Sequence, residues 1–258
     1  WMYRGIYGAS SAMLVQEKTI DVVSNNLANV DTVGFRRRIS VEKTFPEVLI
    51  QRRESLAPFE GASYQPIGLS GLNVVLSQTA MDTSEGAIEV TGNPLDVAIS
   101  GDGFFVVGDR AGNVFYTRAG NFALDSRGNL VTQEGLNVLG RNGAPISVAN
   151  VSFVEIDEGG SVIADGNVVG RIGVVTFQNP TYLRNVGKSL LQASAESGGA
   201  QPVGAARLVP RALERSNVNV VYEMVRLIEG QRAYEAAARS LSIQDEQTGS
   251  LITTFGRS

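Results

Sequence analysis

Residues 220–255 read VVYEMVRLIEGQRAYEAAARSLSIQDEQTGSLITTF, and Val220, Met224, Leu227, Gln231, Tyr234, Ala238, Leu241, Asp245, Thr248, Ile252 and Phe255 step through them by four and three. That spacing lines up one residue per turn on a single helical stripe, the heptad pattern. At 1.5 Å per residue a helix of roughly 38 residues reaches about 57 Å. Gln231, Asp245 and Thr248 hold positions that a self-sufficient coiled coil fills with Leu or Ile. A helix of this kind buries too little apolar surface in isolation to offset the entropy of ordering it. It needs partners.

A second seam runs at the other end of the chain, through Ile6, Ala9, Met13, Gln16, Ile20, Val23, Leu27 and Val30, and Asp31-Thr32-Val33-Gly34 stops it. Two arrangements satisfy the seams. The ends pair and pack against neighbouring copies, or they fold into a hairpin resting on the middle of the same chain. Asn25, Asn26 and Asn29 sit where the first helix ends, although Asn is a poor helix former. A carboxamide both donates and accepts, so these residues either fix register between packed helices or cap their own backbone.

Between the seams the period changes. From Phe35 to about Ala80 no period is clear; Arg36-Arg37-Arg38, Arg52-Arg53, three prolines and a Gly/Ser-rich piece describe an extended arm with local strands. From Met81 onward Leu95-Asp96-Val97-Ala98-Ile99 alternates, and Phe104–Val107, Val114–Thr117, Val151–Ile156 and Ile172–Phe177 are short apolar runs. Gly-Asn recurs at Gly112, Gly120 and Gly128, marking turns. No helix-length segment interrupts them, which argues against a βαβ sheet. The expected fold is mixed α and β. Its β-rich central domain is antiparallel and sandwich- or barrel-like, and its long terminal helices pair as a coiled-coil-like assembly domain. The expected divisions are an assembly helix at 1–34 that pairs with 217–258, a connector arm at 35–80 and a β-rich outer domain at 81–216. Ser216 or Asn217 is placed to cap the last helix.

Composition removes whole classes of chemistry. The 258 residues include no His and no Cys. A Ser-His-Asp triad, a thiolate nucleophile, a disulfide and a Cys/His zinc site are therefore impossible. The net charge of −4 opposes a nucleic-acid-tracking surface. No apolar run approaches the 18 residues of a membrane helix, and Trp1-Met2-Tyr3-Arg4-Gly5 opens without a cleavable signal pattern. The 29 glycines exceed the average of about 7% and imply many tight turns.

Three blocks carry a resemblance. Ser24-Asn25-Asn26-Leu27-Ala28-Asn29-Val30-Asp31-Thr32-Val33-Gly34-Phe35-Arg36 resembles the N-terminal signature of bacterial flagellar rod and hook proteins. Asn93–Val106, continuing through Tyr116–Phe122 and Gly128–Thr132, resembles that family's first core block. Ser216-Asn217-Val218-Asn219 leading to Gln231-Arg232-Ala233-Tyr234-Glu235 resembles its C-terminal signature. The blocks occur in family order, and the arm around residues 40–80 matches least. The length and single β module are similar to the larger proximal-rod and distal-rod proteins, with Asn93-Pro94-Leu95-Asp96 leaning to the former.

The resemblance implies a structural subunit of the basal-body rod that carries motor torque towards the hook. It also implies self-association into a helical tube, contacts with other rod and hook proteins, and passage unfolded through the flagellar type III export apparatus to the periplasmic, cell-envelope portion of the flagellum. No cofactor, metal, nucleic acid or membrane insertion is expected. The assembly residues expected on this basis are Asn25, Asn26, Leu27, Asn29, Gly34, Phe35, Ser216, Asn217, Val218, Asn219, Met224, Ile228, Gln231 and Tyr234. Arg36, Arg37 and Arg38 are expected to pair with acidic groups of a neighbour.

Other readings compete. A hook or hook-junction protein shares the signatures. Ser40-Val41-Glu42-Lys43 fits S-x-x-K without its companion motifs, and Gly101-Asp102-Gly103 opens a phosphate-loop pattern that Val106 breaks. Asp157-Glu158-Gly159-Gly160 and Asp165-Gly166-Asn167 lack a calcium loop's ligand ladder. A β-domain hydrolase would need carboxylates such as Asp96 and Asp102 in one cleft with separated pKa values.

Overall fold

The computed structural model describes residues 2–44, 48–54, 63–70, 74–148, 151, 153–204 and 206–255. The chain is mixed, with an N-terminal helix α1 (Met2–Ala28), a β-rich central region and a C-terminal helix α2 (Val220–Phe255). It divides into two compact units. One contains residues 1–24, 40–79 and 221–258, and the other residues 25–39 and 80–220.

In the first unit the helices bury selected faces. Val15, Thr19 and Val23 are buried along α1, and the Thr19 hydroxyl returns its hydrogen bond to the Val15 carbonyl at 2.9 Å, which makes a mid-helix threonine tolerable. On α2 the shielded positions among the described residues are Val220, Glu223, Arg226, Leu227, Gly230, Ala237, Ala238, Leu241, Gln244 and Thr248. This stripe shares Val220, Leu227, Ala238, Leu241 and Thr248 with the predicted seam, but Met224, Gln231 and Asp245 are exposed while Glu223, Gly230 and Gln244 are shielded beside them. Gly230 shows why: a Cβ there would lie 3.1 Å from Ile20 Cγ1. The Ile20 side chain of α1 seats against α2 at a glycine that an apolar count skips. The stretch predicted without a period carries strands Arg38–Thr44, Val48–Glu54, Ser63–Ser70 and Val74–Met81, the first pairing with the fourth and the second with the third.

The second unit is built around strand Phe104–Gly108, which pairs antiparallel with Val114–Thr117, Asn137–Val138 and Val174–Thr176. Alternation sends Phe105 and Val107 into a main core with Val97, Ile99, Leu130, Val138 and Val162. Phe104 goes to the opposite face, where it joins Tyr116, Phe177, Leu183 and Leu191. Both faces are covered, so the sequence here reads as an unbroken apolar run. Aromatic edges meet faces in each cluster: Phe105 and Phe122 centroids lie 5.2 Å apart, and Tyr116 and Phe177 lie 4.8 Å apart. A three-stranded sheet, Val154–Ile156, Ser161–Ala164 and Asn167–Arg171, contributes Val154, Ile156, Val162 and Ala164 to the main core.

Two of the three Gly-Asn pairs form one recurring turn. Asp109 accepts from the Ala111 and Asn113 amides at 2.8 Å, and Asp125 accepts from those of Arg127 and Asn129 at the same distance. Asp157 does likewise with Ser161, at 2.6 Å, so this acidic stretch is hairpin chemistry. Gly120 is different. A Cβ there would fall 1.7 Å from the Val97 carbonyl oxygen, so the glycine serves a close crossing of backbones, and the expected turn is not found there.

Candidate functional site

The residues of the two terminal signatures converge in the second unit. Asn26 is 1% exposed. Its Nδ2 donates to the Arg38 carbonyl and its Oδ1 accepts from the Arg38 amide, both at 2.9 Å. The carboxamide thus pairs with the backbone much as a strand neighbour would. Asn29 takes the other role open to it: its Nδ2 donates to the Asn25 carbonyl at 2.8 Å, closing an orphan acceptor at the end of α1. Asn25 is exposed and Leu27 half-buried.

Gly34 follows with φ +65°. A Cβ at that position would lie 2.3 Å from the Ala119 nitrogen, and the Gly34 amide donates to the Glu214 carbonyl at 2.8 Å. Phe35 beside it is fully buried. Asn217 binds across from this segment. Its Oδ1 accepts from the Arg37 amide at 2.6 Å, and its Nδ2 donates to the Ser84 carbonyl at 2.9 Å. The Asp82 amide in turn donates to the Arg37 carbonyl at 2.9 Å. Asn26, Arg38, Asp82 and Asn217 stand beside the four places where the chain passes from one unit to the other, and hydrogen bonds stitch them together.

Beneath the stitching lies a buried charge cluster. Glu214 is 1% exposed and receives Arg36 Nη2 on Oε1 at 2.8 Å and Arg118 Nη1 on Oε2 at 3.2 Å. The Gly86 amide adds a bond to Oε1 at 2.9 Å. Arg118 also donates to the Gly101 carbonyl at 2.8 Å, and its Cζ stands 5.3 Å from the Phe104 ring centroid. Burial holds the Arg118 guanidinium below its usual pKa against the opposing pull of Glu214. Nearer the surface Arg37 approaches Asp82 at 3.7 Å. Burial lowers the Arg38 pKa.

The acidic partners of Arg36 and Arg37 therefore belong to the same chain. Glu214, the centre of the cluster, was not among the residues expected from sequence. Its sequence cue was an acid lying between two basic residues (Arg211 and Arg215 flank Ala212–Glu214), which is indistinguishable from surface charge. Ser216 Oγ accepts the Val218 amide at 3.3 Å, Val218 is buried and Asn219 exposed. Because α2 begins at Val220, Asn219 immediately precedes the helix, and Asn217 is engaged elsewhere.

Asp96 is buried and accepts from Thr91 Oγ1 at 2.6 Å and Asn93 Nδ2 at 2.9 Å. It closes the turn of Asn93-Pro94-Leu95-Asp96. Asp102 lines a cavity in which Asp96 has no part, so the two carboxylates are not brought together as the hydrolase reading requires.

The remaining signature residues form a surface. On α2, Val221 is 72% and Ile228 50% exposed, with Tyr222, Met224, Val225 and Tyr234 also outward. Val221, Val225 and Ile228 are spaced i, i+4 and i+7, one apolar face. Gln231 is exposed in the same stretch. On α1, Tyr7 and Leu14, also seven apart, are exposed.

The sequence matches three family models in order: "Flagella basal body rod protein" over residues 6–36, "Flagellar hook protein FlgE/F/G D1 domain" over 98–164, and "Flagellar basal body rod FlgEFG protein C-terminal" over 209–254. The flagellar basal-body rod protein FlgG of Bacillus subtilis (strain 168) is 34% identical over 266 aligned positions, covering 97% of this chain and 98% of that protein. FlgG of Borreliella burgdorferi is 32% identical, covering 96% and 97%. FlgF of Caulobacter vibrioides is 32% identical, covering 99% of each.

Proposed function

We propose, from the premise that the chain belongs to the flagellar basal-body rod protein family and is a structural subunit of that rod, that it polymerises head-to-tail through its terminal helices into a helical tube that transmits torque. Head-to-tail contacts that do not close generate a filament from one kind of subunit. The observation that carries the reading is the exposed apolar face Val221, Val225 and Ile228 on a helix whose opposite side is already shielded. Burying such a face in a neighbour recovers about 25 cal/mol for each Å² removed from water.

In this reading α1 and α2 pair through the close approach at Gly230, and the unpaired faces, Met224, Ile228, Gln231 and Tyr234 among them, meet other copies. The β-rich region forms an outer, sandwich-like domain. The junction at Asn26, Gly34, Phe35 and Asn217 serves assembly indirectly, by fixing where α1 ends and α2 starts. Passage through the export apparatus, a periplasmic position in the basal body, and contacts with other rod and hook proteins complete the proposal.

Replacing Met224 and Ile228 together by lysine tests it. Both side chains are half exposed, so the monomer's unfolding midpoint should hardly move. Sedimentable polymer should disappear, and swarming by cells carrying only the double variant should be lost. Normal polymer from that variant would remove the face from the mechanism.

A further inference from the structure

With no cysteine in the chain, sulfur chemistry falls to four methionines, Met2, Met13, Met81 and Met224. A thioether meets an oxidant only where solvent reaches it. Met81 is 7% exposed and packs in the aromatic cluster of Phe104, Tyr116 and Phe177. Met13 is half-buried along α1, whereas Met224 is 49% exposed on α2.

The surroundings of Met224 matter as much as its exposure. Residues three and four positions to either side are its neighbours on the helix surface. Here they are Val220, Val221, Leu227 and Ile228, all aliphatic. None of these side chains carries a hydrogen-bond donor. A polar group at position 224 therefore has no partner on its own face once a second copy covers it, and burying it costs free energy.

We infer that Met224 is a reversible oxidation site that controls self-association, with a peroxide as the oxidant. One peroxide oxygen is transferred to the thioether sulfur as the O–O bond breaks. The sulfur gives up two electrons, and the other oxygen leaves as water. The sulfoxide that forms is polar where assembly demands an apolar surface. A methionine sulfoxide reductase, drawing two electrons from thiols, removes the oxygen as water and restores the thioether. The inference rests on the self-association proposed above. It acts on the free subunit alone, because the neighbour that covers the face also shields the sulfur.

Hydrogen peroxide added to dilute monomer, with sulfoxide at each methionine followed by peptide mass, tests the site. Met224 should oxidise well ahead of Met81. Equal rates overturn the site whether or not the chain polymerises. Sedimentation tests the control. Chain oxidised at Met224 should assemble about tenfold more weakly, the cost of covering one unpartnered acceptor, and reductase treatment should restore it. Undiminished assembly of the oxidised chain overturns the control. Peroxide should leave the polymer yield of Met224→Leu at its own untreated value; a fall there assigns the effect to another methionine and overturns the control as well. Peroxide added to finished polymer should spare Met224, and oxidation as fast as in the monomer overturns the shielding. A parent chain that never sediments overturns self-association and the control together, while the oxidation rates still report on the site.

Discussion

Glu214 holds two guanidiniums and one backbone amide on two oxygens, so its replacement strands several donors at once. Glu214→Gln should lower unfolding stability of the β unit by about 3–5 kcal/mol in urea titration, the cost of breaking a buried ion pair from one side. Gly34→Ala should cost about 2 kcal/mol or more, because φ +65° and the 2.3 Å approach to Ala119 act together. Asp82 supplies a pH dependence. Burial pushes its carboxyl up, but the hydrogen bonds from Ser84 and the charges of Arg37 and Arg36 outweigh burial and leave it below the ordinary value. A lowered folded pKa means stability that is complete above the unfolded value of about 3.9 and lost as pH falls through the folded one. The melting temperature of Asp82→Asn should therefore fall less steeply in acid than that of the parent. At this scale the sequence marked Asn26, Asn29, Gly34 and Asn217 as unusual, yet could not assign their partners, which lie as far as 180 positions away.

The helices were legible as helices, and every position of the first predicted seam, from Ile6 to Val30, is shielded. On α2 the seam holds at Val220, Leu227, Ala238, Leu241 and Thr248 and fails at Met224, Gln231 and Asp245. Apolar periodicity selects Met224 on α2, whereas the shielded stripe runs through Glu223, Gly230 and Gln244. A glycine contributes nothing to a hydrophobic count, and a buried glutamate subtracts from it, so the tally passes over both positions. Gly230 is the position on which the difference can be measured. Gly230→Ala needs Ile20 to yield only a few tenths of an ångström and gains about 0.5–1 kcal/mol of helix propensity; polymer yield should change little. Gly230→Leu places a branched side chain where Ile20 stands and should abolish sedimentable polymer. The strands were legible for a different reason. Phe104–Val107 and its neighbours are short, apolar and bounded by Asp-x-x-Gly turns, and the same texture made Gly120 look like a turn when it marks a crossing.

Over the whole chain, three textures in the sequence became two units whose borders cut across them. Residues 25–39, expected as the end of a helix and the start of an arm, belong with the β unit. Hydrogen exchange on dilute monomer should protect residues 25–39 together with 80–220, while 2–24 and 221–255 exchange faster in the absence of neighbouring copies. Uniform protection would mean that the helices are already fully packed in the monomer. The stitching of Arg37 to Asn217 has a consequence in time. A ribosome adding about 5–20 residues per second delivers the second of these residues about 10–40 s after the first, since 180 positions separate them. Throughout that interval Arg36 and Arg37 exist without Glu214 and Asn217. The seam between these two segments thus closes only late in synthesis, and a chain that stops short of residue 217 never closes it.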